Sequence, residues 1–196
     1  MAMTTDIRRP SAEGDRSSAA NGVAISYSSG TEGWPLVNEE VLDEATWTRM
    51  DITAIAGDAF TNMDGWHRFI FPKFNIHSNS VVSKVRIRLT YRTENDANLW
   101  PTIKINGVVW YGADEYSYDV TNGLYTVVAG YPKNPATDAA WTAADVNGVG
   151  PVPLQQFGLW MIVPEGYSEY VTLYQASIEV RHNPPESDWV PPVIWL

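Results

Sequence analysis

The chain has 196 residues, a net charge of −10 and no cysteine. That length suffices for one large β domain with a real core, and the missing thiols exclude disulfides, thiolate catalysis and cysteine-bound zinc. The acidic balance argues against a surface for phosphates, so neither nucleic acid nor an anionic membrane is an expected partner.

Residues 1–33 are rich in Ser, Ala, Gly and Thr and show no periodicity. They read as an extended N-terminal arm, which needs an anchor, either a neighbouring subunit or the chain's own domain. The start, MAMTTDIRRPSAEGDRSSAANG, has no apolar segment of the signal-peptide kind, and no run approaches the ~20 apolar residues of a membrane span. A soluble protein made in a cytoplasm is the expectation.

From Trp34 the pattern becomes β, and residues 34–183 read as one sandwich domain. Thr46 to Ile52 and Trp66 to Phe71 are expected strands, the second entered through Asp64-Gly65. Val81 to Arg92 has the clearest period of two. It predicts Val81, Val85, Ile87, Leu89 and Tyr91 on a buried face, and Val82, Lys84, Arg86, Arg88, Thr90 and Arg92 on a wet one. Pro101 begins or interrupts the next strand, and Asn106-Gly107 predicts a hairpin because both residues accept positive φ. A second pair is expected around Asn122-Gly123. Gln156 to Val163 and Tyr170 to His182, joined through Pro164-Glu165-Gly166, close the domain.

One short helix is predicted at about 142–148. Thr142 followed three residues later by Asp145 is a capping signal, Gly148 and Gly150 stop the helix, and Pro151 and Pro153 prevent its resumption. Trp141 reads as a plug seating this helix on an open end of the sandwich. About nine strands with turns every ~8–12 residues predict an all-β, jelly-roll-like antiparallel sandwich. The tail, residues 184–196, is extended by two Pro-Pro pairs and apolar at Trp189, Val190, Val193, Ile194, Trp195 and Leu196. Burying one such side chain contributes about 1.5–3 kcal/mol, so it is expected to dock on its own sandwich or on a neighbour.

No residue set amounts to an active site. His67, His77 and His182 are far apart and belong to no metal-binding pair. The acids Glu39-Glu40, Asp43-Glu44, Asp114-Glu115 and Asp119 form no calcium loop, and nothing sets two of them across one cleft. Nucleophile elbows and glycine-rich phosphate loops are absent. No catalytic residue, metal or cofactor is assigned. Two surface readings remain for the aromatics and cations. Trp100, Trp110, Tyr111 and Tyr116 could form a stacking platform for sugar rings, or alternate between core and subunit contact. Lys84, Arg86, Arg88 and Arg92 could be a solvated face or a docking stripe for an acidic partner.

Three segments resemble one kind of protein. VNEEVLDEATWTRM is similar to the Glu-rich start of many tailed-bacteriophage structural proteins. NPATDAAWTAADVN followed by Gln156-Phe157-Gly158-Leu159 resembles their recurrent Asn-Pro-x-Thr-Gly-x-x-Trp-Thr stretch, with Asp138 where Gly is usual. TLYQASIEVRH resembles their closing strand. The resemblance covers roughly residues 34–183 and implies a non-enzymatic virion protein: a capsid decoration or cement protein, a head-fibre attachment protein or a tail component. It implies other virion subunits as partners, a homo-oligomer and no catalytic residues. The tail residues Trp189, Val193, Ile194, Trp195 and Leu196 and the basic row would then bind neighbours. The alternative is a carbohydrate-binding module of a fibre or tail, with a host glycan as partner.

Overall fold

The structure, a computed structural model, describes residues 3–16, 23–30, 33–52, 63–93, 98–111, 113, 115–121, 123–163 and 169–183. Among these, the first half of the chain forms β1 (Thr4–Arg8), β2 (Ala12–Arg16), β3 (Val23–Tyr27), α1 (Trp34–Val37), β4 (Thr48–Ile52), β5 (Met63–Ile70) and β6 (Val81–Thr93). The second half forms β7 (Asn98–Ile105), β8 (Val108–Tyr111), β9 (Glu115–Thr121), β10 (Leu124–Tyr131), β11 (Lys133–Asn134) and β12 (Ala139–Ala140). It ends with α2 (Ala143–Val146), β13 (Leu154–Val163) and β14 (Glu169–Asn183).

The strands build two large antiparallel sheets packed face to face. The first runs β3-β4-β14-β6-β10-β9, with β1 also on β14; the second runs β2-β5-β13-β7-β8. Between them, Val85, Ile87 and Leu89 of β6 and Ala176, Ile178 and Val180 of β14 share one core with Phe157, Leu159 and Met161 of β13. In the central strands β6, β13 and β14 alternate residues enter this layer over most of their length, as the pleat requires.

The alternation predicted for β6 holds from Val85 to Leu89, breaks at Thr90, which is buried with its hydroxyl bonded to that of Thr126, and fails at its start. Val82 is in the core and Val81 is 66% exposed. The cause is a bulge: Lys84 pairs with Arg181 and Val82 with His182, leaving Ser83 unmatched and inverting the faces before it.

The described parts of the N-terminal segment are strands of the chain's own sheets. β1 pairs with β14, β2 with β5 and β3 with β4. On β14, β4 reaches Leu173 and β1 begins at Ile178, which leaves a gap. The loop after α1 closes it, with Gln175 Nε2 donating to the carbonyls of Glu39 (2.8 Å) and Glu40 (3.1 Å).

Turn chemistry follows the sequence closely. Asn106 and Gly107 adopt φ 47° and 79° between β7 and β8. Thr142 and Asp145 form the full capping box at α2, and Trp141 is buried with Nε1 donating to the Tyr131 carbonyl at 2.9 Å. Asp138, standing where the resembled stretch has Gly, takes a left-handed φ of 54°. Asp tolerates that conformation moderately well. The turn at 164–166 and the tail at 184–196 lie outside the described residues.

Candidate binding faces

The outer face of the second sheet carries three rows set by strand register. Trp160 on β13 pairs with Trp66 on β5 and with Trp100 on β7, so three indoles stand side by side. In the next row Gly158 pairs with Arg68 and with Thr102, and Thr102 pairs in turn with Tyr111 of β8. The third row is Ile70, Gln156, Lys104 and Val109. The middle row is low because Gly158 has no side chain. A Cβ there would fall 2.1 Å from the His67 carbonyl oxygen and 2.7 Å from the Arg68 Cα.

Arg68 uses that space. Its side chain crosses β13 over Gly158, and Nε donates to Thr102 Oγ1 at 3.3 Å. Its guanidinium lies 5.8 Å from the centroid of the Trp66 ring, also bonds the Tyr111 side chain and is 97% withdrawn from solvent with the rest of the residue (3% exposed). Burial pushes its pKa below the ordinary arginine value, against the opposing influence of Tyr111 and Asp15. Tyr111 packs on Trp160 with centroids 4.5 Å apart, and Trp160 on Trp100 at 5.2 Å.

A bulge in β2 supplies the opposite bank. Glu13 pairs with Phe69 and Arg16 with His67, so Gly14 and Asp15 together stand opposite the single residue Arg68. Asp15 extends over the sheet, accepting a short bond from Lys104 and a 3.4 Å bond from Gln156 Nε2, while its N–H donates to Gln156 Oε1 at 3.1 Å. The Lys104 bond holds the Asp15 carboxyl below its usual pKa, outweighing partial burial. Asp15, Arg16, Trp66, Arg68, Val109 and Tyr111 thus line an open trough of about 440 Å³.

The expected aromatic platform is therefore partly regrouped. Trp100 and Tyr111 share this face with Trp66 and Trp160, which the sequence reading did not single out. Trp110 does not join them: it pairs with Ile103 and packs on the core, its Nε1 buried without a hydrogen-bond partner. Tyr116 lies on β9, in the other sheet.

The basic row stands on the outer face of the first sheet, where β14 opposes it with one carboxylate. Arg86 pairs with Glu179 at 2.6 Å and Arg88 with the same group at 3.7 Å. Arg92 reaches Glu44 at 3.1 Å and lies 5.9 Å from the centroid of the Tyr174 ring. Lys84 pairs in register with Arg181. Arg88 and Arg92 keep 48% and 42% of their side chains exposed. Trp189, Val193, Ile194, Trp195 and Leu196 lie outside the described residues.

His67 and His77 are engaged in hydrogen bonds within the fold. His67, 1% exposed, bonds Glu13 Oε2 through Nε2 at 2.7 Å. The other Glu13 oxygen accepts from the N–H groups of Gly33 and Trp34 and so holds the start of α1. Burial alone would raise the Glu13 pKa; the His67 bond and charge and the two N–H donors outweigh it and lower the value. His77 Nδ1 accepts from the Asn79 N–H, and His182 Nε2 lies 3.3 Å from Asp6. Among the described residues no three His, Asp or Glu side chains converge as metal ligands, and no helix is long and apolar enough to cross a membrane. Compared with known protein families and with curated proteins, the chain matches none.

Proposed function

We propose that this chain is a non-enzymatic structural protein of a tailed-phage virion, of the capsid-decoration or head-fibre-attachment type, built on a jelly-roll-like sandwich. The observation that carries the reading is the pairing order of eight strands. β4-β14-β6-β10 packs on β5-β13-β7-β8. Counting only those eight, the orders are first-eighth-third-sixth and second-seventh-fourth-fifth. That order supports a jelly-roll reading of the sandwich, an architecture used by viral capsid proteins and lectins. This is support by fold analogy, and it bears on class rather than on partner. The resemblance of the Val37–Met50, Asn134–Asn147 and Thr172–His182 segments to phage structural proteins supports the same class.

Binding to neighbouring subunits is assigned to the apolar residues of the tail and to the exposed cations Arg88 and Arg92. The N-terminal segment is not assigned as a lace, because its described strands complete the chain's own sheets. The test removes residues 188–196. The truncated chain should fold, yet be missing from purified particles. Incorporation at the full level would refute the lacing role.

A second reading is favoured by one observation. Trp66 and Tyr111 line an open trough on the outer face of the second sheet, and Trp160 and Trp100 continue the aromatic row beside it. Such a surface fits a carbohydrate-binding module of a fibre or tail. The two readings combine without conflict when the first sheet faces the particle and the second faces outward.

A further inference from the structure

We infer that the trough on the second sheet binds a saccharide bearing a carboxylate, such as a uronic acid oligomer. This rests on the carbohydrate-binding reading above and names its ligand class and residues.

Three features select the ligand. The walls are flat rings, Trp66 and Tyr111, the latter 49% exposed. Rings present broad apolar faces with little rotamer entropy to lose, and the C–H face of a pyranose covers such a surface. The floor is a buried guanidinium held in place by Thr102 and Tyr111. At 3% exposure Arg68 acts as a fixed positive charge beneath the trough, while the exposed Arg16 supplies the planar fork of N–H donors that matches a carboxylate.

The third feature is charge. Among the described residues, Arg16, Arg68 and Lys104 surround one carboxylate, Asp15, which is engaged by Lys104 and Gln156. Arg16 reaches a neutral partner, the Tyr27 hydroxyl. Three cations against one acid leave a local excess of two positive charges, in a chain whose net charge is −10. A neutral sugar needs no such excess. A carboxylated one uses it, and the surrounding acidity of the chain discriminates against anions elsewhere on the surface.

The site is prearranged by backbone features. Gly158 makes the low row, and the β2 bulge at Gly14-Asp15 makes the bank. Gly14 is needed there, since a Cβ would sit 2.9 Å from the Arg68 carbonyl oxygen. Recognition therefore requires little reorganisation, which favours binding.

The experiment is isothermal titration of the full chain with trigalacturonate and with neutral galactotriose. Trigalacturonate should bind at least tenfold more tightly than the neutral trimer. Arg16→Gln, an exposed position, should erase most of that preference, and Tyr111→Ala should weaken both sugars about tenfold. Circular dichroism confirms that each variant is folded. Equal affinity for the two trimers overturns the acidic-ligand inference and leaves the carbohydrate reading standing. No heat or chemical-shift change with either trimer at millimolar concentration overturns both. Tight binding unaffected by Arg16→Gln and Tyr111→Ala overturns the placement in this trough.

Discussion

Replacing Glu13 with Gln should destabilise the fold by about 1.5–3 kcal/mol at neutral pH, the range for one lost hydrogen bond to a charged group. The carboxylate serves two elements at once: one oxygen meets His67 on β5, and the other meets the N–H groups of Gly33 and Trp34 at the start of α1. Gln has one acceptor oxygen: held on the backbone donors it leaves the amide N–H₂ facing His67, and turned to His67 it leaves the N–H₂ facing those donors. Solvent does not compensate, because the His67 and Glu13 side chains are only 2% and 17% exposed. The sign of the pH dependence follows from the lowered Glu13 pKa. A carboxyl that ionises more readily when folded contributes its full stability above the unfolded value of 4.5 and loses it as pH falls through the lower folded value. The gap between the native chain and Glu13→Gln should therefore be constant above that pH and shrink below it. Urea unfolding followed by tryptophan fluorescence, repeated from neutral to acidic pH, measures it. A penalty under ~0.5 kcal/mol at neutral pH, the size of an ordinary surface substitution, would refute the pinning role. A penalty that stayed constant through the acid range would refute the linkage.

Two further substitutions test local geometry. Thr142→Ala removes one half of the α2 capping box and should cost about 1 kcal/mol in thermal unfolding, with Thr142→Ser restoring most of it. Gly158→Ala forces a Cβ to within 2.1 Å of the His67 carbonyl. β5 must shift away from β13, so a loss of about 3 kcal/mol, at the upper end for overpacking, is expected in chemical denaturation. An unchanged midpoint would show that the two strands separate freely there.

The elements legible in the sequence were those whose signal is local. The Asn106-Gly107 hairpin, the capped helix at Thr142 and the alternation of Val85 to Leu89 each depend on neighbours a few residues away. What the sequence hid was register between distant segments. Trp66, Trp100 and Trp160 are separated by dozens of residues, and only the pairing of β5, β13 and β7 makes them one row. Trp110 and Tyr111 are adjacent, yet the pleat sends one inward and the other outward. The Ser83 bulge has the same origin: it arises from a mismatch with Arg181 and His182, so no pattern within β6 announces it. The polar N-terminal segment was misleading in composition. Thr4 to Tyr27 carries few large apolar groups because its three strands are edge additions that contribute backbone pairing more than core volume.

The pairing of Thr4 with His182 joins residues near opposite ends of the chain. During synthesis β1 emerges long before its partner strand β14. Until then its backbone donors and acceptors are satisfied by water. Closing so long a loop is entropically costly, and a topology rich in distant contacts folds slowly. The seam between β1 and β14 is thus a candidate for the final step of assembly, and a chain interrupted shortly before β14 would leave the edges of β1, β4 and β6 open to other molecules.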